Sequence, residues 1–114
     1  MTYAQQNYLR TFRRKSYLSQ EELSNLLGCK TGQIISRYEC NVRVPNLRTV
    51  FTLMIIFGVK AEELFPGLYS EVKEEILRQI QVHLKKATNC YPTPKTTRKH
   101  SFLLEVINSL NEPV

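Results

Sequence analysis

The stretch Ser19-Gln20-Glu21-Glu22 permits little except the start of a helix. The Ser19 hydroxyl can accept from the Glu22 amide while the Glu22 carboxylate reaches back to Ser19, closing a capping box. Gly28, free to turn left-handed, stops that helix after Leu23, Leu26 and Leu27 have pointed inward. The same punctuation recurs on both sides. Upstream, Leu9, Phe12 and Arg13 share one stripe of a first helix from Gln5 to Lys15. Downstream, a third helix from Thr31 to Cys40 places Ile35 and Tyr38 on its inner face. Asn46, following Pro45, caps a fourth over Leu47 to Phe57. Ala61 to Phe65 makes a single turn closed by Pro66-Gly67. Sustained apolar–polar alternation and Asn-Gly or Asp-Gly turns, the marks of strands and hairpins, are missing from the sequence. The predicted fold class is all-α, with five short helices in residues 1–68.

Beyond Gly67 the pattern predicts a helical extension over residues 69–114. Tyr69 to Ala87 repeats Val72, Ile76, Ile80 and Leu84 at steps of four, a long amphipathic helix. Residues 88–100, TNCYPTPKTTRKH, lack periodicity and read as a linker; Ser101 then caps a last helix to residue 111. The segment LMIIF in the fourth helix is apolar nearly all round, so the C-terminal helices, of this chain or of a second copy, are expected over Ile55 and Ile56.

Composition narrows the functional classes. A chain of 114 residues with 42% hydrophobic and 23% charged residues suits one globular core. The longest apolar run, Leu53 to Phe57, is too short to cross a bilayer, and MTYAQQNYLRTFRRK has no signal-peptide core. A soluble, cytoplasmic protein is expected. Cys29, Cys40 and Cys90 form no CxxC pair and lie far from His83 and His100, so neither a zinc site nor a disulfide framework is expected, and no cofactor. Paired carboxylates, a Ser/His/Asp set and a phosphate-binding glycine loop are likewise lacking, which argues against an enzyme. The net charge is +6, with nine Lys/Arg against five Asp/Glu in residues 1–66. That bias suits an anionic partner, and equally plain solubility.

Residues 18–45, LSQEELSNLLGCKTGQIISRYECNVRVP, read as helix, glycine turn, helix and an arm ending in proline. Together with FGVKAEELFPGLY, the pattern LSQEEL–LG–ISRYE–x(5)–P resembles the phage-repressor-like (Xre-type) helix-turn-helix family over about residues 8–68. The resemblance implies a five-helix lambda-repressor-like domain that binds double-stranded DNA, the third helix entering the major groove. With Ile35 and Tyr38 inward, Gln33 and Arg37 face out one turn apart, Gly32 and Ser36 beside them. Gln33 can pair with adenine and Arg37 with guanine, and Gly32 would let the backbone come close. Gln20, where the dipole of the second helix favours an anion, is by resemblance a phosphate contact; Lys30, Thr31, Asn41 and Arg43 flank the reading helix as further phosphate anchors. Arg10, Arg14 and Lys15 either touch the DNA backbone or serve solubility. Arg13 and Glu39 both lie on inner faces, and the family pairs these positions; a structural ion pair is expected.

The sequence departs from the family twice. Asn41 stands where glycine is usual, and asparagine tolerates the left-handed turn. The segment from Gly28 to Glu39 is also one residue longer than the pattern, with the extra residue somewhere in 30–34. It lengthens either the turn or the first turn of the third helix, and a reading face slipped by one would bring Ile34 to a thymine methyl. The functional expectation is a sequence-specific transcriptional regulator, a repressor, bound as a homodimer to an inverted repeat. The alternative is an antitoxin-type module that covers a partner protein and regulates its own promoter. The apolar stripes of 69–87 and 101–110 either form the dimer surface or complete the monomer core.

Overall fold

The computed structural model describes residues 7–87 and 93–111, and among them all regular structure is helical. The chain divides into two compact units, 1–71 and 72–114.

The first unit begins with α1 (Leu9–Lys15), α2 (Gln20–Leu26), α3 (Gln33–Glu39), α4 (Leu47–Phe57) and α5 (Ala61–Leu64). Each of these helices contributes one fully buried aliphatic side chain: Leu9, Leu23, Ile35, Leu53 and Leu64. Burial of that kind is worth roughly 1.5–3 kcal/mol per residue, and Tyr38 and Phe65 close the cluster. No helix here is long enough to stand alone in water, so this shared core is what holds them. Caps set their ends. Glu22 N–H donates to Ser19 Oγ and Ser19 N–H to the Glu22 carboxylate, both at 3.0 Å. Thr49 N–H donates to Asn46 Oδ1 at 2.9 Å, and Lys60 N–H to Glu63 Oε2 at 2.9 Å. Gly28 and Gly58 take φ of 82° and 65°, ending α2 and α4 in the conformation that glycine adopts without strain.

Several boundaries differ from the sequence reading. The first helix starts at Leu9, whose N–H donates to Asn7 Oδ1 at 2.8 Å; the expected start at Gln5 lies outside the described residues. Leu26 is 57% exposed, since Leu23 and Leu27 already occupy the inner face of α2. Ile56 packs against the core of its own unit, and Ile55 is 82% exposed. Pro66 follows the end of α5, as expected, and also opens the next helix three residues earlier than the expected Tyr69: α6 runs Pro66–Ala87, with proline at the first position, where its missing N–H costs nothing.

In the second unit the rest of α6 is joined by α7 (Pro94–Asn111), and Ile80 is its buried side chain. The linker expected over 88–100 and the start at Ser101 are therefore corrected. Thr93 and Thr96 cap each other, with Thr93 N–H donating to Thr96 Oγ1 at 2.7 Å and Thr96 N–H to Thr93 Oγ1 at 3.1 Å. Pro94 again takes the first helical position, so a sequence that looks like a helix-breaking run is a capped helix start. Residues 88–92 of that linker lie outside the described residues.

Candidate nucleic-acid interface

The turn between α2 and α3 begins with a buried hydroxyl. Ser24, fully buried, donates its Oγ to the Thr31 carbonyl, while Cys29 N–H returns to the Ser24 carbonyl at 2.9 Å. Residues 27–32 thus fold back over α2, and α3 starts only at Gln33. The expected start of this helix at Thr31 is thereby corrected by two residues, the Thr31 carbonyl being held by Ser24.

Helix α3 is anchored by Ile35, fully buried, and Tyr38 at 6% exposure. Gln33 and Arg37 are both exposed, one turn apart on the opposite side. Ser36 is half-buried beside them. Two residues grouped with them by sequence are occupied elsewhere. Ile34 is half-buried and packs against the core cluster, because α3 rolls that side toward the domain. Gly32 faces α2: a Cβ there would lie 3.1 Å from Glu21 N, 3.2 Å from Gln20 C and 3.3 Å from Gln20 Cβ. Its bareness is thus accounted for by close approach of the turn to the start of α2.

The end of α3 is tied to α1 and α2 by a buried charge network. Arg13 Nε donates to Glu39 Oε2 at 2.6 Å and Arg13 Nη2 to Glu39 Oε1 at 3.3 Å. The two side chains are 10% and 3% exposed. Arg13 Nη1 also donates to the Leu18 carbonyl at 2.9 Å, and Gln20 Nε2 to Glu39 Oε1 at 3.1 Å. Both carboxylate oxygens thus have hydrogen-bond partners, so neither is left unpaired in the interior. Gln20 is thereby held in place by its amide, half-buried, with a second amide proton not used in that bond.

Past α3 the chain takes a left-handed residue at Asn41, φ 60°, and doubles back. Val42 N–H and Arg43 N–H both reach the Arg37 carbonyl, at 2.9 and 3.3 Å. Asn7 secures this corner, donating from Nδ2 to the Tyr38 carbonyl at 2.7 Å and to Asn41 Oδ1 at 3.2 Å. The sequence reading did not single out Asn7; an asparagine two residues before a helix start was the available signal. Lys30 and Thr31 before α3, and Asn41 and Arg43 after it, are exposed. Arg10, Arg14 and Lys15 are exposed on α1, the Lys15 ammonium 6.0 Å from the Phe12 ring centroid.

A short helix braced by another, set off by a tight turn and presenting polar side chains outward, defines a helix-turn-helix DNA-binding domain. Residues 9–64 match a family described as helix-turn-helix, which supports the phage-repressor-like (Xre-type) resemblance of its motifs. A search of curated proteins found no match, and neither did a search of solved structures. The protein is accordingly a DNA-binding regulator of the helix-turn-helix class. Among the described residues no helix is long and apolar enough to cross a membrane, and no group of three or more His, Cys, Asp and Glu is placed to hold a metal ion.

Proposed function

We propose that the protein is a sequence-specific repressor that reads duplex DNA through the major groove with α3. The observation that carries this reading is the pair Gln33 and Arg37, exposed one turn apart on a helix whose opposite face is locked by Ile35 and Tyr38. Gln33 is suited to adenine and Arg37 to guanine, each bidentate contact worth about 1–3 kcal/mol of discrimination. Ser36 lies beside them and adds a hydroxyl. Lys30 and Thr31 at one end of α3, with Asn41 and Arg43 at the other, are the phosphate contacts that straddle the groove. Gln20, oriented by Glu39, donates its remaining amide proton to the backbone. Neither Gly32 nor Ile34 is assigned a base, since both serve packing. A homodimer on an inverted repeat goes with this reading, supported by the exposed apolar side chains Tyr69, Val72 and Ile76 on α6.

The test begins with duplexes selected from a random pool, then compares variants on selected and scrambled duplexes by fluorescence anisotropy. Arg37→Ala is expected to erase roughly 5- to 150-fold of the preference while leaving scrambled-duplex affinity nearly unchanged. Lys30→Ala is expected to weaken both duplexes alike and to reduce the salt slope by about 0.9. Equal losses of preference for both variants would refute the division of roles.

A further inference from the structure

Residues 76–104 contain Arg78, Lys85, Lys86, Lys95, Arg98 and Lys99 without one Asp or Glu, and they hold both histidines of the chain. The fold of the second unit gathers part of this set. Helices α6 and α7 line a cavity of about 310 Å³, its floor formed by Leu84 and Leu103. His83 and Lys86 come to its rim from α6, and Thr96, Lys99 and His100 from α7.

We propose that this cavity binds a small organic anion, a phosphate ester or carboxylate joined to a short apolar body. Three observations converge on that chemistry. First, Lys86 and Lys99 approach the same space from different helices, and among the described residues neither has a carboxylate in ion-pair reach. Two cations lining one cavity give it a positive potential, which favours an anion there. Glu75, the nearest acidic residue before this stretch, is already engaged by Arg78 and by Gln79 Nε2 at 3.1 Å.

Second, the rim is rich in donors. Two ammonium groups and two imidazoles offer N–H groups, while in the first turn of α7, to which Thr96 belongs, the Thr96 and Thr97 amides are already bonded to Thr93. Thr96 Oγ1 is tied to Thr93, which fixes that turn in place. Third, the floor is apolar. Leu84 and Leu103 are half-buried, so a ligand with an alkyl or aromatic body gains by covering them, which a bare inorganic ion does not. A volume near 300 Å³ lies at the lower end of ligand pockets and accommodates one ring with one charged group.

Phenyl phosphate is the probe, with inorganic phosphate and benzyl alcohol as its charged and apolar halves. The full-length protein is titrated with each while the ring resonances of His83 and His100, the only histidines of the chain, are followed by NMR. Assignment comes from His83→Gln and His100→Gln. Saturable shifts of both rings by phenyl phosphate are expected, with at least tenfold weaker response to either half. Lys86→Ala and Lys99→Ala should each weaken binding about tenfold, as loss of a charge-assisted contact does. Both lysines are exposed, and circular dichroism checks that helix content is kept. Lys99→Glu, which reverses the charge at an equally helix-compatible residue, should abolish the shifts, whereas Arg37→Ala should leave them intact. Benzyl alcohol acting as well as phenyl phosphate, or lysine variants binding like the parent, overturns the proposal. Shifts produced by a random-sequence DNA duplex but not by phenyl phosphate also overturn it, reassigning the rim to nucleic-acid phosphates.

Discussion

Replacing Glu39 tests the buried network that fastens the reading helix. Its carboxylate, 3% exposed, accepts from Arg13 Nε at 2.6 Å, Arg13 Nη2 at 3.3 Å and Gln20 Nε2 at 3.1 Å. In Glu39→Leu the guanidinium, whose side chain is 10% exposed, keeps only the Leu18 carbonyl. A charge stranded in this way costs about 3–5 kcal/mol. Against a total stability of roughly 5–15 kcal/mol that is a large share. In a domain this small each kcal/mol lowers Tm by about 4–8 °C, so a fall of roughly 12 °C or more is expected. Arg13→Met, which strands the carboxylate with Gln20 alone, should cost a similar amount. The double variant Arg13→Met with Glu39→Leu removes both charges together and should recover most of the loss, to within about 1–2 kcal/mol of the parent, because apolar pairs often replace buried ion pairs without penalty. Urea unfolding followed by circular dichroism measures all four corners of this cycle. A coupling energy of at least about 2 kcal/mol is expected. Single variants within about 1 kcal/mol of the parent, or a double variant as costly as the two singles added, would refute the reasoning.

Gly32→Ala places a methyl 3.1 Å from Glu21 N and 3.2 Å from Gln20 C, backbone atoms that cannot rotate away. We expect a destabilisation of about 1–3 kcal/mol in urea, together with weaker binding to selected duplexes; a neutral result would show that the turn has slack. The Glu22 carboxyl is held below the usual carboxylate range, first by the Ser19 N–H and then by the Ser19 hydroxyl. Its folded-state value is lower than its unfolded one, so its contribution is present above the unfolded value and is lost as pH falls through the folded one. The stability gap between the parent and Glu22→Ala should therefore close in acid; a gap independent of pH would remove the carboxylate from the cap.

The parts of this fold legible in the sequence are those set by local chemistry. Ser19 with Glu22, Asn46 ahead of Leu47 and Gly28 after Leu27 each decide a helix end within a few residues, and the structure has all three. Thr93-Pro94 misled for the same local reason. A threonine cap and a proline open a helix only where the residues after them are helical, and KTTRKH shows no apolar stripe until Phe102. Leu26, three residues after Leu23 and next to Leu27, reads as inward from its spacing, yet α2 has Leu23 and Leu27 on its inner side.

By itself, then, the sequence determined the helix class, the order of caps and turns, and the outward polar pair of α3, since periodicity and capping act over one or two turns. Distances across the fold are another matter. That α3 begins only at Gln33, that Gly32 is bare because α2 passes 3.1 Å from where its Cβ would be, and that Asn7 clamps Tyr38 and Asn41 were decided only by tertiary structure. So was the gathering of Lys86, Lys99, Leu84 and Leu103 around one cavity. Such contacts join residues far apart in sequence, and packing against a shared core, not local propensity, decides which of them meet.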